Sequence, residues 1–382
     1  MFRQMSARAV ILSAERRPAL LLGFAGFVLV GVAYSLFGPS FPHLRLRFGV
    51  GVDEVGLVVS AQFIGAAVTM LVSGLLLGRF GYRPLMVAGA AVMALGAVGV
   101  AFAPSWSLIL VAAFAGGLGS GTLVICLNLL TARVFVPASA PALNLMNAMF
   151  GIGAISGPLL VAAAAPRQVV PFLLLAVLAM AVSVGALFVK APVVERPPGA
   201  ATGFAWGPLV GFALVYLFYV ATEVGITAWE TEHLSPLYGT AAAAAFTSLY
   251  WMALTVGRVL AIPLSARIAP GRLVAGSLAL TLLFLLFAHL VRLAPLFYAL
   301  AGLSLAPVFG TALAWFTLVF KERSEQLAPV MLAVANFGPI TTAPLIGVAV
   351  ATWGYGVIPT ALSLLAAGAA LAAGWLLRRT RG

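Results

Sequence analysis

A carboxylate, Glu223, sits deep inside an otherwise apolar run, within the segment YVATEVGITAWE from Tyr219 to Glu230. An acid in hydrocarbon carries a penalty of about 2.5–3.5 kcal/mol on insertion scales, so its presence calls for a proton, a hydrogen-bond donor or a ligand to offset it. Burial favours the protonated form of a carboxyl group. Glu223 is therefore the candidate for binding a proton together with a hydroxylated ligand. The alternative is a packing role, in which a neighbouring hydroxyl or backbone group holds the carboxylate. Its apparent counter-ion is Arg258. Counted from the predicted helix ends, however, the two differ in depth by about nine residues, or about 13 Å at 1.5 Å per residue. Pairing then requires a break or tilt near Gly225, and Arg258 could equally snorkel to a surface and brace a gate.

Neutral groups complete the inventory. Gln62, Asn128, Asn144, Asn147 and Asn336 supply amides, while Tyr34, Trp229, Tyr250, Trp251 and Trp315 supply rings. A sugar needs this mixture, with donors and acceptors for its hydroxyls and an aromatic face for stacking. Each ring also has a plain reading as packing or as part of an interfacial belt. Glu230, Glu232 and His233 follow Glu223 and are expected to be solvated. His43 and His289 stand alone, and no spacing of His, Cys and carboxylate suggests a metal site. No phosphate-binding loop or nucleophile motif is present, so neither a cofactor nor an enzyme activity is expected. The single cysteine, Cys126, excludes an internal disulfide.

The elements that position these groups follow from composition. Of the 382 residues, 63% are hydrophobic and 8% charged, with a mean hydropathy of +1.15, whereas a soluble domain carries roughly 25% charged residues. Runs of about 20 apolar residues, enough to cross a hydrocarbon core of about 30 Å, succeed one another. They predict twelve transmembrane helices at 19–42, 54–78, 84–103, 106–132, 141–164, 168–190, 206–230, 241–266, 272–291, 294–319, 327–351 and 354–377. The runs are continuous and lack the alternation of barrel strands. The start resembles a signal peptide, but its apolar run is too long, and it is read as a retained first helix behind a basic tail.

In a bilayer protein the formal charge of +12 matters by position and does not imply nucleic acid. Sixteen of the 21 Lys and Arg residues fall on the side that holds both termini; Arg45, Arg47, Arg167 and Arg292 fall on the other. The positive-inside rule then expects both termini in the cytoplasm and a location in the cell's inner (plasma) membrane. A proline-rich stretch, 191–205, divides the chain into halves at 1–190 and 206–382. A shift of about 187 residues brings Arg79 near Arg267, Ala115-Gly116 near Ala301-Gly302 and Pro158 near Pro344. Two parallel six-helix repeats imply a solute site between bundles and alternating access. A channel would show a filter loop or a ring of charge, and neither is found.

Between the second and third spans lies SGLLLGRFGYRP, Ser73 to Pro84, which resembles the loop signature of the major facilitator superfamily. Gly74, Arg79, Gly81 and Arg83 match, and Gly78 stands where that family carries an aspartate. The resemblance implies a gating role for Arg79 and Arg83, with Arg258 a further gating candidate, and the glycine puts the family's aspartate latch in doubt. In the fifth span Gly151, Gly153, Gly157 and Pro158 resemble an antiporter signature, except that Val161 and Ala162 replace its final glycines. The runs LFGPSFPHLRLRFGVGVDEVGLVVSAQFIGA, GLGSGTLVICLNLLTARVF, ALNLMNAMFGIGAISGPLL and FYVATEVGITAWETEHL with FTSLYWMALTVGR resemble the fucose permease-like branch. There Asn128 and Glu223 fall on an asparagine and a glutamate that recur in helices 4 and 7, and Arg258 on an arginine common in helix 8. Acids used in helices 1 and 4 of that branch are absent here, and Asn147 replaces a frequent histidine.

The expectation is an all-α, twelve-helix facilitator fold, read as a monomer in the lipid bilayer. It would import a sugar or similar small polar solute with protons, using Glu223 for coupling. Asn128, Glu223, Asn336, Gln62, Asn147, Tyr34, Trp251 and Trp315 are the candidate solute contacts. The competing reading is proton-driven export of drugs or other amphipathic compounds.

Overall fold

The computed structural model describes residues 11, 13–165, 167–189 and 206–380; the linker expected at 191–205 lies outside them. The described residues form helices α1 (Arg17–Ser35), α2 (Phe37–Phe48), α3 (Val52–Val55), α4 (Leu57–Phe80), α5 (Tyr82–Phe102), α6 (Trp106–Val134), α7 (Ser139–Ala164) and α8 (Val169–Ala186). After the linker come α9 (Trp206–Tyr238), α10 (Thr240–Ser265), α11 (Pro270–Phe287), α12 (Ala294–Leu305), α13 (Val308–Phe320), α14 (Ser324–Ala335), α15 (Phe337–Trp353) and α16 (Val357–Arg379). Twelve segments among the described residues are long and apolar enough to cross a membrane. Helices satisfy every backbone donor and acceptor within the segment, which hydrocarbon demands.

Three of the predicted spans are interrupted, each within one turn before a proline. Leu36 separates α1 from α2 ahead of Pro39, Ala306 separates α12 from α13 at Pro307, and Asn336 separates α14 from α15 ahead of Pro339. Proline has no N–H for the carbonyl four residues back, and its ring crowds that carbonyl, so the helix bends where the bond is missing. Hydropathy sees only continuous apolar sequence there. The structure also lengthens two of the predicted helices. The first span continues as far as Phe48 through α2, and α9 reaches Tyr238, eight residues beyond the predicted end.

Contacts group the described residues into two compact units. One draws on Met1–Leu36, Ala61–Leu160 and Ala164–Pro197; the other on Phe37–Ser60, Val161–Ala163 and Pro198–Gly382. In the first unit α5 packs on α6 and α8, and α1 packs on α6 and α8. Lipid tails are as apolar as leucine, so close backbone approach, rather than removal from water, holds such helices together. The glycines of the fifth span serve this purpose. A Cβ on Gly153 would stand 2.1 Å from the Val28 carbonyl oxygen, and one on Gly31 would stand 2.2 Å from that of Phe150. Gly65 and Gly117 bring α4 and α6 together in the same way, 2.2 Å from the Phe114 oxygen and 2.0 Å from that of Gln62.

In the second unit α9 is central, touching α2, α10, α12, α14, α15 and α16. α15 runs parallel to it: a Cβ on Gly338 would meet the Leu217 oxygen at 2.5 Å, and one on Gly347 would lie 3.2 Å from Trp229. α2 approaches so closely that a Cβ on Gly38 would stand 2.0 Å from the Thr227 oxygen. At its far end the Arg45 Nη1 donates to Glu232 Oε2 at 3.0 Å and to the Tyr355 hydroxyl at 2.8 Å. Arg45 keeps 27% of its side chain exposed and Glu232 only 3%. The guanidinium stays charged.

Two outcomes follow from this packing. Gly153→Ala should lose about 1–3 kcal/mol through overpacking, while Gly276→Ala, whose new Cβ meets nothing within 4 Å, should change stability by no more than about 0.5 kcal/mol or raise it. Thermal unfolding of the purified protein in detergent compares the two. For the α2 anchor, a double-mutant cycle of Arg45→Ala and Glu232→Ala should return a coupling of about 0.5–3 kcal/mol by the same measurement. Additive losses would mean that the pair does not hold α2 to α9.

Candidate functional site

The chemistry concentrates on one face of α9. Tyr216, Tyr219, Glu223, Ile226, Glu230 and His233 are spaced alternately by three and four residues, which lines them up along one side of a helix. Working along that face, the Tyr216 hydroxyl donates to the Phe309 carbonyl at 2.7 Å. The Tyr219 hydroxyl donates to Glu223 Oε2. Four residues separate this pair, so one turn of helix sets its geometry. Glu223 is half-buried, with one carboxylate oxygen held by a donor from its own helix.

Beyond Glu223 the structure corrects the sequence reading. Glu230, Glu232 and His233 are not solvated: their exposures are 0%, 3% and 4%. α9 carries all three inward because it continues to Tyr238, and partners from other helices meet them. His233 Nδ1 and the Tyr298 hydroxyl of α12 lie 2.8 Å apart, Glu232 holds Arg45 of α2, and the Thr231 hydroxyl meets that of Thr247 in α10 at 3.2 Å. Trp229 is wholly buried, donates to the Ala343 carbonyl at 3.1 Å and packs edge-on against Phe41. Glu230 differs. Among the described residues neither of its oxygens has a hydrogen-bond partner.

Arg258 also moves relative to the expectation. The contact between Thr231 and Thr247 sets the antiparallel register of α9 and α10, joined by the turn at Gly239. That register places Arg258 opposite Val220, three residues or about 4.5 Å along the axis from the level of Glu223. The expected offset of about 13 Å counted both helices from their inner ends as though these stood level, whereas α9 has 33 residues and α10 has 26, so the start of α9 extends beyond the end of α10. No ion pair joins Glu223 to Arg258 among the described residues, yet the charges of both act on Tyr219 and on Tyr250. Tyr250 is fully buried, edge-on to Trp251 at 5.7 Å, and its hydroxyl has no partner among the described residues.

The other candidates separate by role. In the first unit Gln62 is buried and its Nε2 donates to the Ala33 carbonyl at 3.0 Å, tying α4 to α1. Asn128 Nδ2 donates to Val124 at 2.7 Å and Asn147 Nδ2 to Leu143 at 3.0 Å, both within their own helices. Tyr34 stands edge-on to Phe63 at 5.2 Å. In the second unit Asn336 is buried at the bend before α15. Trp251 and Trp315 are buried as well; Trp315 packs edge-on to Phe212 at 5.0 Å and would lie 2.9 Å from a Cβ on Gly271. Arg79 and Arg83 are exposed, with the Arg79 guanidinium 5.6 Å from the Phe80 ring. Gly81 turns the chain there with a φ of 76°, a backbone that glycine adopts without strain. Thr247 and Tyr298 escaped the sequence reading. The three-four spacing continuing past Glu230 to His233 was the signal that could have found them.

Comparison with known proteins places this arrangement. The Bacillus subtilis (strain 168) glucose/mannose transporter GlcP is 23% identical over 355 residues, covering 87% of this chain and 88% of that protein. The multi-drug resistance efflux pump PmrA of Streptococcus pneumoniae is 27% identical over 143 residues, or 36% of each chain. Among solved structures, a D-xylose–proton symporter superposes with a TM-score of 0.82 at 13% identity over 95% of this chain and 97% of its own. The nucleoside transporter NupG superposes at 0.77 with 14% identity, over 96% of this chain and the whole of its own. These likenesses show the fold. Residues 23–324 match the model of the Major Facilitator Superfamily, and the chain belongs to that family: it is a multi-pass membrane transporter and not an enzyme.

Proposed function

We propose that the protein imports a sugar or similar small polar solute together with protons, by alternating access of an amino-terminal (1–190) and a carboxy-terminal (206–382) six-helix bundle. The observation that carries this reading is Glu223, half-buried on α9, with Tyr219 donating to one of its oxygens. A carboxylate so held keeps a second oxygen for a proton or for a solute hydroxyl. Protonated, it can donate to the solute; ionised, it turns to Tyr219 and to the nearby charge of Arg258. Binding of one species thereby changes what the other finds. The likeness to a glucose/mannose transporter over most of the chain supports a sugar as the solute. The arginine asymmetry supports cytoplasmic termini in the plasma membrane, which puts Arg79, Arg83 and the inner end of α10 on the cytoplasmic side.

A second reading, proton-driven export of amphipathic compounds, draws support from the efflux pumps that resemble about a third of the chain. Uptake assays separate the two. In proteoliposomes with an inward gradient of one pH unit, glucose, mannose or xylose should accumulate up to about tenfold at one proton per solute, since 1.4 kcal/mol is a factor of ten. Glu223→Gln should abolish accumulation while retaining exchange of labelled for unlabelled sugar. Accumulation by Glu223→Gln equal to that of the parent protein would remove Glu223 from coupling, and drug efflux without sugar uptake would establish the second reading.

A further inference from the structure

Glu230 is fully buried, and neither carboxyl oxygen has a hydrogen-bond partner among the described residues. A carboxylate shielded from bulk water, with only the Thr247 hydroxyl beside it, is much less favourable there than the carboxylic acid. Its surroundings contain no fixed cation to replace the acid's proton. Its charge acts on Tyr250 of α10 and on Tyr298 of α12, and the Thr247 hydroxyl is beside it. On its own helix Glu232 is taken up by Arg45 of α2, and His233 is bonded to Tyr298. α13 and α15 bear no titratable side chain, and Arg378 and Arg379 of α16 lie toward the start of α9, where Gly211 faces Trp375 and Leu376.

Glu223 and Glu230 are seven residues apart, two turns or about 10.5 Å, on the same face. The register of α10 sets Tyr250 between them, and its buried hydroxyl is also without a partner among the described residues. Both carboxyl groups act electrostatically on this tyrosine. Two acids and one hydroxyl thus follow one another along α9, and the two that are fully buried, Glu230 and Tyr250, have unused hydrogen-bonding capacity.

We propose that Glu230 is a second proton-binding site, loaded in this conformation, and that the Tyr250 hydroxyl relays its proton to Glu223. This rests on the reading of Glu223 as the coupling acid. In the relay the Glu230 O–H bond breaks as one forms at the Tyr250 oxygen, and the original phenolic proton passes to the Glu223 carboxylate. Negative charge moves from Glu223 to Glu230, the tyrosine ends neutral, and no other reactant is needed. Glu230 thereby stores a proton away from the solute, and Glu223 can be recharged without opening to water.

Infrared spectroscopy of the protein in lipid tests the site without any transport. At neutral pH, where exposed carboxyl groups are ionised, the parent protein should show a carboxylic acid C=O band that disappears in Glu230→Gln and persists in Glu223→Gln. Absence of the band in the parent, or its loss only in Glu223→Gln, overturns the proposal. If Glu230→Gln does not fold, Glu230→Met, similar in volume and uncharged, is read in the same way. The relay has its own readout in proteoliposomes. Tyr250→Phe should keep the infrared band and the exchange of labelled sugar, yet slow proton-driven accumulation about tenfold or more, a barrier change of at least about 1.4 kcal/mol. Unchanged accumulation in Tyr250→Phe overturns the relay. If the parent accumulates no sugar at all, the proposed function fails while the band still decides Glu230.

Discussion

Hydrocarbon offers no hydrogen-bond partner, and this single constraint explains both the helices and the arrangement of their polar side chains. Backbone groups meet it by forming helices. Side chains meet it only by finding one another, so each polar residue on α9 dictates something on a neighbour. Tyr216 takes the Phe309 carbonyl of α13; Trp229 takes one of α15; Thr231 fixes the register of α10; His233 takes Tyr298 of α12; and Glu232 takes Arg45 of α2. α9 is consequently the axis of its unit, and the second unit's helices are positioned as much by these bonds as by shape.

The first unit is built on a different principle. Its close contacts are made by glycines against carbonyl oxygens, at Gly31, Gly65, Gly117 and Gly153, and its amides close on backbone groups within the same helix or the next. Tight backbone contact of this kind tolerates little change in side-chain volume and holds the helices rigidly.

Much of the fold was legible because a bilayer writes itself into sequence as length and hydropathy. Twelve spans, the small-residue contacts of Gly153 and the turn at Gly81 could all be read from residue types and spacing. What failed was the end of the seventh span. The stretch TEHLSPLY is polar by composition, so a hydropathy reading ends the helix at Glu230 and turns Glu232 and His233 toward water. Their partners lie 65 to 187 residues away in sequence, and no local pattern reports them. The false depth of Arg258 came from taking the inner ends of the two helices as level, when the unequal lengths of α9 and α10 set them apart. Proline-linked breaks at Leu36, Ala306 and Asn336 were visible as prolines but were subordinated to hydropathy, which is blind to where a helix bends.

Shared architecture cannot choose the solute. A xylose–proton symporter and a nucleoside transporter superpose on this chain almost equally, at 13% and 14% identity, so the fold tolerates nearly complete replacement of its side chains. What distinguishes one such protein from another must lie in the few polar groups that hydrocarbon makes unfavourable to retain. This chain has only nine acids, and three of them, Glu223, Glu230 and Glu232, lie within ten residues of α9. One is matched by an arginine, one by a tyrosine of its own helix, and one by nothing among the described residues. Glu223 and Glu230, seven residues apart, share one face of α9, whereas Glu232 leaves that face to meet Arg45 of α2.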